Sequence, residues 1–182
     1  MPIRPFSSFR HRNAFLFLVG LLLPGVGACY EQSLSWDALK SEIRREFPTV
    51  EHISVAELEQ RLIDTTSDQM LIVDVRRPEE FAVSHLQNAV NLEDPAAIVA
   101  LAEQTQADQI VVYCSVGYRS ARVAAELENQ GLDAVVNLEG SIFAWANSQR
   151  PVFQASKPVG KVHPFDQTWG QLLDRQYHPE EQ

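Results

Sequence analysis

One cysteine and one arginine near the middle of the chain have the residue types and the spacing for covalent chemistry. Residues 110–113 read Ile-Val-Val-Tyr, a run typical of a buried strand, and the run stops at Cys114. A loop with Gly117 and the cation Arg119 follows, and an alanine-rich helix then ends near Gly131. The pattern predicts a strand, a loop and a helix, with Cys114 where the strand ends.

This predicted loop would make the Cys114 thiol reactive. A loop between a strand end and a helix start turns backbone N–H groups inward, and the helix dipole adds positive potential there. Both favour the thiolate, and Arg119 adds a permanent charge that can hold an anionic substrate or stabilise that thiolate. The alternative is an inert buried cysteine, which is the commoner fate of a lone cysteine. The carboxyl end of a strand favours function, because open α/β sheets place their ligand crevices there.

Four motifs in order resemble a single rhodanese (sulfurtransferase) domain over about residues 50–153. The motifs are Asp74-Val75-Arg76 with Pro78-Glu79-Glu80-Phe81 and His85-Leu86, then Asn91-Leu92, then Cys114-Ser115-Val116-Gly117-Tyr118-Arg119-Ser120, then Asn137-Leu138-Glu139-Gly140 with Trp145. The resemblance implies an α/β fold with a parallel β-sheet and helices on both faces. The alternation of apolar runs and helical patterns over some hundred residues independently favours such a sheet.

The resemblance also implies a reaction. The Cys114 thiolate would take the outer sulfur of an anionic, thiosulfate-like donor, hold it as a persulfide and pass it to a thiol or cyanide acceptor, with ping-pong kinetics. Backbone groups of the loop would hold substrate and persulfide, and the side chains at its mouth would shape the entrance. The residues expected to bind substrate are Ser115, Val116, Gly117, Tyr118 and Arg119, and those expected to support the loop are Asp74, Arg76 and Ser120. We expect no cofactor, and the five histidines show no metal-binding spacing.

The sequence departs from the family pattern at three serines. Ser115 replaces the basic residue that often follows the nucleophile, which puts a preference for thiosulfate in question. Ser84 and Ser141 replace glycines and bear on local backbone geometry. Two other functions stay open: a cysteine phosphatase or arsenate reductase, and a non-catalytic rhodanese-like binding module of the cell envelope. The active-site loops of cysteine phosphatases and arsenate reductases resemble Cys-x5-Arg, with five residues between the cysteine and the arginine. Here only four residues separate Cys114 from Arg119.

The first 28 residues are predicted to be a signal peptide. Three arginines precede the apolar stretch 14–23, which is too short to span a bilayer comfortably. The following Val26-Gly27-Ala28-Cys29 resembles a bacterial lipobox and implies lipid attachment at Cys29. We therefore expect an exported protein that is lipid-anchored on the periplasmic side of a bacterial membrane. An ordinary secretory signal and an uncleaved anchor are the alternatives.

The rest of the chain is expected to form one domain with short extensions. Residues 29–49 are predicted to be a tether and an amphipathic helix, 50–153 the rhodanese domain, and 154–182 a C-terminal tail. From Pro151 the chain is expected to be irregular and to dock by an apolar turn at residues 169–173. Cleavage after residue 28 would remove three arginines and no acids, so the formal charge would go from −9 to −12. Such a charge makes nucleic acid an improbable partner.

Overall fold

The computed structural model describes residues 34–64 and 70–180. These residues form an α/β structure around a parallel sheet of five strands in the order β1-β5-β4-β2-β3. The strands are β1 (Glu51–Ile53), β2 (Met70–Asp74), β3 (Val90–Asn91), β4 (Gln109–Tyr113) and β5 (Val135–Leu138). The helices are α1 (Trp36–Glu46), α2 (Val55–Asp64), α3 (Pro78–Val83), α4 (Pro95–Thr105), α5 (Tyr118–Asn129) and α6 (Ser141–Asn147). The predicted fold class is confirmed.

Helix starts follow from local sequence. The Ser54 N–H donates to Glu57 Oε2 at 2.7 Å and the Glu57 N–H donates to Ser54 Oγ at 3.1 Å, which forms a capping box at the start of α2. Proline occupies the first turn of α3 and of α4, where its missing N–H costs no helical hydrogen bond. Asp94 accepts a hydrogen bond from the Ala96 N–H at 3.2 Å and caps α4.

Helices cover both faces of the sheet, and the side chains of the central strand β4 are buried on both sides. Its alternate side chains Val111 and Tyr113 pack on one side with α1, α2 and α6. Ile110 and Val112 pack on the other side with α4 and α5. Because both faces are buried, the strand reads as a continuous apolar run, and the residue after it, Cys114, points to the α4/α5 side of the core.

The predicted amphipathic helix is α1, and it packs onto the domain through Leu39 and Ile43. The expectation of irregular chain after Pro151 is wrong for its first part. Strands β6 (Val152–Gln154) and β7 (Lys157–Val159) form an antiparallel hairpin. Its two-residue turn holds Ala155 at φ +51°, without the glycine or asparagine that usually announces such a turn.

The rest of the C-terminal segment joins the same core. Short 3₁₀ helices cover Trp169–Leu172 and Arg175–Tyr177. The predicted apolar turn docks as expected, since Leu172 and Leu173 are buried with Val162 in the cluster that contains α6. Asn147 of α6 holds this segment by donating from Nδ2 to the Leu172 carbonyl at 2.8 Å.

The predictions for the N-terminus, a signal peptide over residues 1–28 and a lipidated Cys29, fall outside the described residues. Within residues 34–64 and 70–180, no helix combines the length and apolar character needed to cross a bilayer.

Candidate active site

Cys114 lies directly after β4, at the carboxyl edge of the sheet, and is only 1% exposed. The loop turns into α5 at Gly117, whose φ of +106° suits a residue without a side chain. A Cβ atom there would also come within 3.3 Å of the Gly140 nitrogen, so the loop packs against the start of α6. The strand, loop and helix predicted from sequence are confirmed.

Hydrogen bonds tie the loop to α6. The Cys114 carbonyl accepts from the Ile142 N–H at 3.3 Å, and the Ser115 carbonyl accepts from the Phe143 N–H at 3.1 Å. The Cys114 N–H donates to Ser141 Oγ at 3.0 Å. The carbonyls of Cys114 and Ser115 therefore face α6, where backbone N–H groups engage their negative ends.

The sulfur itself is surrounded by donors. The Gly117 N–H donates to Cys114 Sγ at 3.2 Å, and Ser141 Oγ lies 3.9 Å from it. Burial alone would raise the pKa of the Cys114 thiol, but the charge of Arg119, the neighbouring Ser120 and the hydrogen bond from the Gly117 N–H lower it below its ordinary value. Among the described residues, the buried Ser120 hydroxyl has no hydrogen-bond partner, so it is free to donate to a sulfur anion. The site favours the nucleophilic thiolate.

A buried carboxylate organises the cationic side of the loop. Glu80 of α3 is 1% exposed and accepts two hydrogen bonds from Arg119, at 2.9 Å from Nη1 and 2.8 Å from Nη2. It also accepts from Ser115 Oγ at 3.0 Å. Although burial raises the pKa of the Glu80 carboxyl, the hydrogen bonds and charge of Arg119 lower it more, so it is ionised. Sequence reasoning placed Glu80 on a helix but did not include it in the site.

Asp74 and Arg76, two of the residues expected to support the loop, pair with each other. Both are fully buried, and Arg76 Nη2 lies 2.7 Å from Asp74 Oδ2. The guanidinium also donates to the Ser84 carbonyl at 2.6 Å and lies over the Tyr113 ring, 5.8 Å from its centroid. Although burial lowers the pKa of Arg76, the Asp74 carboxylate raises it more, so the guanidinium stays charged. The pair braces the ends of β2 and β4 next to Cys114.

The remaining loop residues have different surroundings. Val116 is buried in the core with α6, not at an open mouth. Tyr118 turns towards α1, where its hydroxyl donates to Glu46 Oε1 at 2.6 Å; this hydrogen bond raises the pKa of Tyr118 to about 12. The loop thus brings Ser115, Gly117 and Arg119 to the sulfur side. No three His, Cys, Asp or Glu side chains in the described part of the chain come together as a metal site.

The two serines that replace glycines differ in consequence. Ser84 has φ −168°, an extended conformation open to any residue, so this substitution carries no backbone strain. Ser141 has φ +51°, the left-handed region that favours glycine, yet its hydroxyl accepts from Cys114 and donates to the Leu138 carbonyl at 3.1 Å. His85 makes structural contacts: its ring stacks on Phe81 and its backbone pairs with Phe153.

Comparison with known proteins agrees with this geometry. The family model described as "Rhodanese-like domain" matches residues 54–148, more than half of the chain and all of the loop around Cys114. The chain belongs to the rhodanese-like family. A sulfurtransferase from Allochromatium vinosum is 36% identical over 103 residues, which cover 57% of this chain and 94% of that protein. This rhodanese-like chain is therefore of the sulfurtransferase type.

More distant matches each cover about two thirds of the chain. The tRNA uridine(34) hydroxylase of Escherichia coli is 27% identical over 129 residues, 68% of this chain and 36% of that enzyme. Among solved structures, the thiosulfate sulfurtransferase from Pseudomonas aeruginosa matches with a TM-score of 0.55 at 17% identity, over 67% of this chain and 23% of that one. A protein from Rhodopseudomonas palustris described as a possible tyrosine phosphatase matches at 0.50 and 22% identity, over 71% of this chain and all of that one. These two structures bear on the fold alone.

Proposed function

We propose that this protein transfers a sulfane sulfur from an anionic, thiosulfate-like donor to a thiol or cyanide acceptor through a persulfide at Cys114. The observation that carries the proposal is the buried Cys114 thiol with a lowered pKa, held between the Gly117 N–H and the charge of Arg119. Similarity to the sulfurtransferase from Allochromatium vinosum supports the reaction class.

The first half-reaction is a displacement at sulfur. The Cys114 thiolate attacks the outer sulfur of thiosulfate, a new S–S bond forms, and the S–S bond of the donor breaks with its electron pair leaving on sulfite. The persulfide carries one negative charge. The Gly117 N–H and the free Ser120 hydroxyl can donate to that charge, and Arg119 adds long-range stabilisation.

The second half-reaction regenerates the thiolate. An acceptor thiolate or cyanide attacks the terminal persulfide sulfur, and Cys114 leaves with the electron pair of the S–S bond. The lowered pKa of the Cys114 thiol also makes it a better leaving group in this step. The same environment therefore serves both half-reactions, which is the behaviour expected of a ping-pong enzyme.

The test is sulfur uptake followed by intact mass measurement. A Cys29→Ser variant of the full chain leaves Cys114 as the only thiol, since the sequence contains two cysteines. Incubation with thiosulfate should add one sulfur atom, and cyanide should remove it as thiocyanate. The Cys29→Ser/Cys114→Ser variant should gain none. Equal uptake by both variants would refute the nucleophile, and no uptake by either would favour a non-catalytic binding module.

Two rival functions are weaker. A cysteine phosphatase or arsenate reductase would need a loop that wraps a tetrahedral oxyanion, whereas Cys114 and Arg119 enclose four residues and Arg119 is already paired with Glu80. Action on tRNA, suggested by the similarity to the hydroxylase, conflicts with a formal charge of −9. Sulfur transfer to a small acceptor fits both observations.

We further propose export and lipid attachment at Cys29, supported by the basic and apolar segments that precede Val26-Gly27-Ala28-Cys29. Two or more acyl chains would hold the protein on a membrane through a salt wash, whereas one chain binds only marginally. Incorporation of radiolabelled palmitate should occur in the wild type and be absent in Cys29→Ser. A wild-type protein without label would overturn the attachment and leave the chemistry at Cys114 unaffected.

A further inference from the structure

A pocket of about 230 Å³ adjoins the active-site loop. Three arginines line it, Arg77, Arg119 and Arg122, together with Glu93, Phe165 and two valines. One of the valines, Val75, belongs to the same buried cluster as Cys114, and Arg119 is the residue whose charge lowers the thiol pKa. The pocket thus shares one wall with the catalytic loop, at Arg119. The chain as a whole has a formal charge of −9, but the pocket lining contains three guanidinium groups and one carboxylate, so the pocket is locally positive.

The three arginines differ in how far their charges are already neutralised. Arg119 is held in the bidentate pair with Glu80, so its Nη1 and Nη2 groups already donate to a carboxylate. The nearest acid to Arg77 is Glu79, at 3.9 Å, and both side chains are more than half exposed. Within residues 34–64 and 70–180, Arg122 takes part in no salt bridge. Arg77 and Arg122 are the two cations available to an anion.

The outer wall of the pocket comes from beyond the family match. Phe165 lies after residue 148, where the match ends, and its ring centroid is 4.7 Å from the Arg119 guanidinium carbon. Its φ is +67°, and its N–H donates to His163 Nδ1 at 3.0 Å. Phe165 is therefore held in place over Arg119, and as a lining residue it limits the size of the pocket.

We infer that this pocket is a subsite for the oxyanion head of the sulfur donor, a small sulfonate-like group bound by Arg77 and Arg122. The inference rests on the proposed sulfur transfer and names where the donor is recognised. The inference also accounts for Ser115, which stands where the family often has a basic residue and instead donates a hydrogen bond to Glu80. The positive charge that the loop lacks is supplied by Arg122 of α5 and by Arg77, the residue before α3. The volume is below the range of roughly 300–1,000 Å³ for drug-sized ligands, which fits a donor of few atoms.

The subsite can be tested by binding, without turnover. In the full-length Cys29→Ser/Cys114→Ser protein no thiol can react, so thiosulfate and sulfite can be titrated and followed by NMR or calorimetry. Adding Arg77→Gln or Arg122→Gln should each weaken thiosulfate binding about three- to tenfold, a loss of about 0.7–1.4 kcal/mol. The matched control is Arg45→Gln, which removes an exposed arginine of α1 that lies outside the pocket lining and should leave the affinity unchanged.

The size limit gives a second readout. Benzenesulfonate is a larger and unreactive anion, so it should bind the Cys29→Ser/Cys114→Ser protein less tightly than sulfite does. Adding Phe165→Ala should raise the affinity for benzenesulfonate more than the affinity for sulfite. Unchanged thiosulfate affinity in both pocket arginine variants would overturn the subsite, as would an equal loss with Arg45→Gln. Failure of the proposed function is a separate result: anion binding that follows Arg77 and Arg122 while Cys114 takes up no sulfur would keep the subsite and refute the sulfur transfer.

Discussion

Glu80 and Arg119 form a two-pronged ion pair across the active-site loop, with N–O distances of 2.8 and 2.9 Å. The pair joins α3 to the first turn of α5, and Ser115 completes it with hydrogen bonds to Glu80 and from Arg119. The planar guanidinium matches the planar carboxylate, so the pair fixes orientation as well as charge. Arg119 is therefore held beside the sulfur before any substrate arrives, and Glu80 sets how much of its charge the thiol experiences.

Glu80→Gln should lower the pKa of the Cys114 thiol further. Glutamine keeps the shape and one acceptor but removes a negative charge near the sulfur, and a negative neighbour disfavours the thiolate. The rate of alkylation by iodoacetamide rises with pH as the thiolate forms, so its midpoint should move to lower pH than in the parent Cys29→Ser protein. The control is Glu79→Gln, an exposed carboxylate on the same helix, which should leave the midpoint in place. A midpoint that moves to higher pH would show that Glu80 acts on the thiol mainly by orienting Arg119.

Arg119→Ala should reduce turnover of thiosulfate and cyanide about 10²- to 10³-fold, as expected for loss of one charged stabilising group in a buried site. The alkylation midpoint should also move to higher pH, because Arg119 lowers the thiol pKa. Arg119→Lys should recover only part of the rate, since a point charge cannot copy the two-pronged pair.

Alanine at position 119 also leaves the Glu80 carboxylate buried without its partner, which alone could unfold the loop. The Glu80→Gln/Arg119→Ala variant separates the two effects, because it removes both charges. If that variant folds and turns over thiosulfate at the parent rate, Arg119 has no role in the chemistry.

The sequence predicted the parts of the site that depend on local pattern. The loop at Cys114 follows from a β-branched run, a glycine and an amphipathic helix within about twenty residues, and the Asp74–Arg76 pair follows from a spacing of two along one strand end. Such features are fixed by neighbours in the chain. They form the same way in the folded protein because tertiary contacts agree with local preference.

The missed residues are those brought together only by the fold. Glu80 lies 39 residues before Arg119, and Phe165 lies on a segment whose backbone holds it at φ +67°. The β6–β7 hairpin was missed for a similar reason: Ala155 takes a left-handed conformation that nothing in its residue type announces. Pairing of distant segments depends on the strand order, and alternating strands and helices predict a parallel sheet without fixing that order.

Asp74→Ala should destabilise the protein by about 3–5 kcal/mol, because it leaves the fully buried Arg76 guanidinium without its counter-charge. Urea unfolding measures this directly. Glu51→Ala, which breaks a pair in which Glu51 is 62% exposed, should cost about 1 kcal/mol or less. Replacing both partners, Asp74→Leu/Arg76→Met, should recover part of the loss. Equal small effects for Asp74→Ala and Glu51→Ala would show that the buried pair contributes no more than a surface pair.

Ser141 has a strained left-handed backbone, and its hydroxyl accepts a hydrogen bond from the Cys114 N–H. Two substitutions should separate the effects of the strain and of the hydrogen bond on stability. Ser141→Ala keeps φ near +51° and leaves the buried Cys114 N–H without its acceptor, at a cost of about 1–3 kcal/mol. Ser141→Gly loses the same hydrogen bond but relieves about 1 kcal/mol of strain, so glycine should be the less destabilising change in urea. Ser148→Ala, at the exposed end of the same helix, is the control and should have a smaller effect than either. A glycine variant less stable than the alanine variant would mean that the left-handed conformation carries no strain here, and wild-type stability for Ser141→Ala would remove the hydroxyl from the support of Cys114.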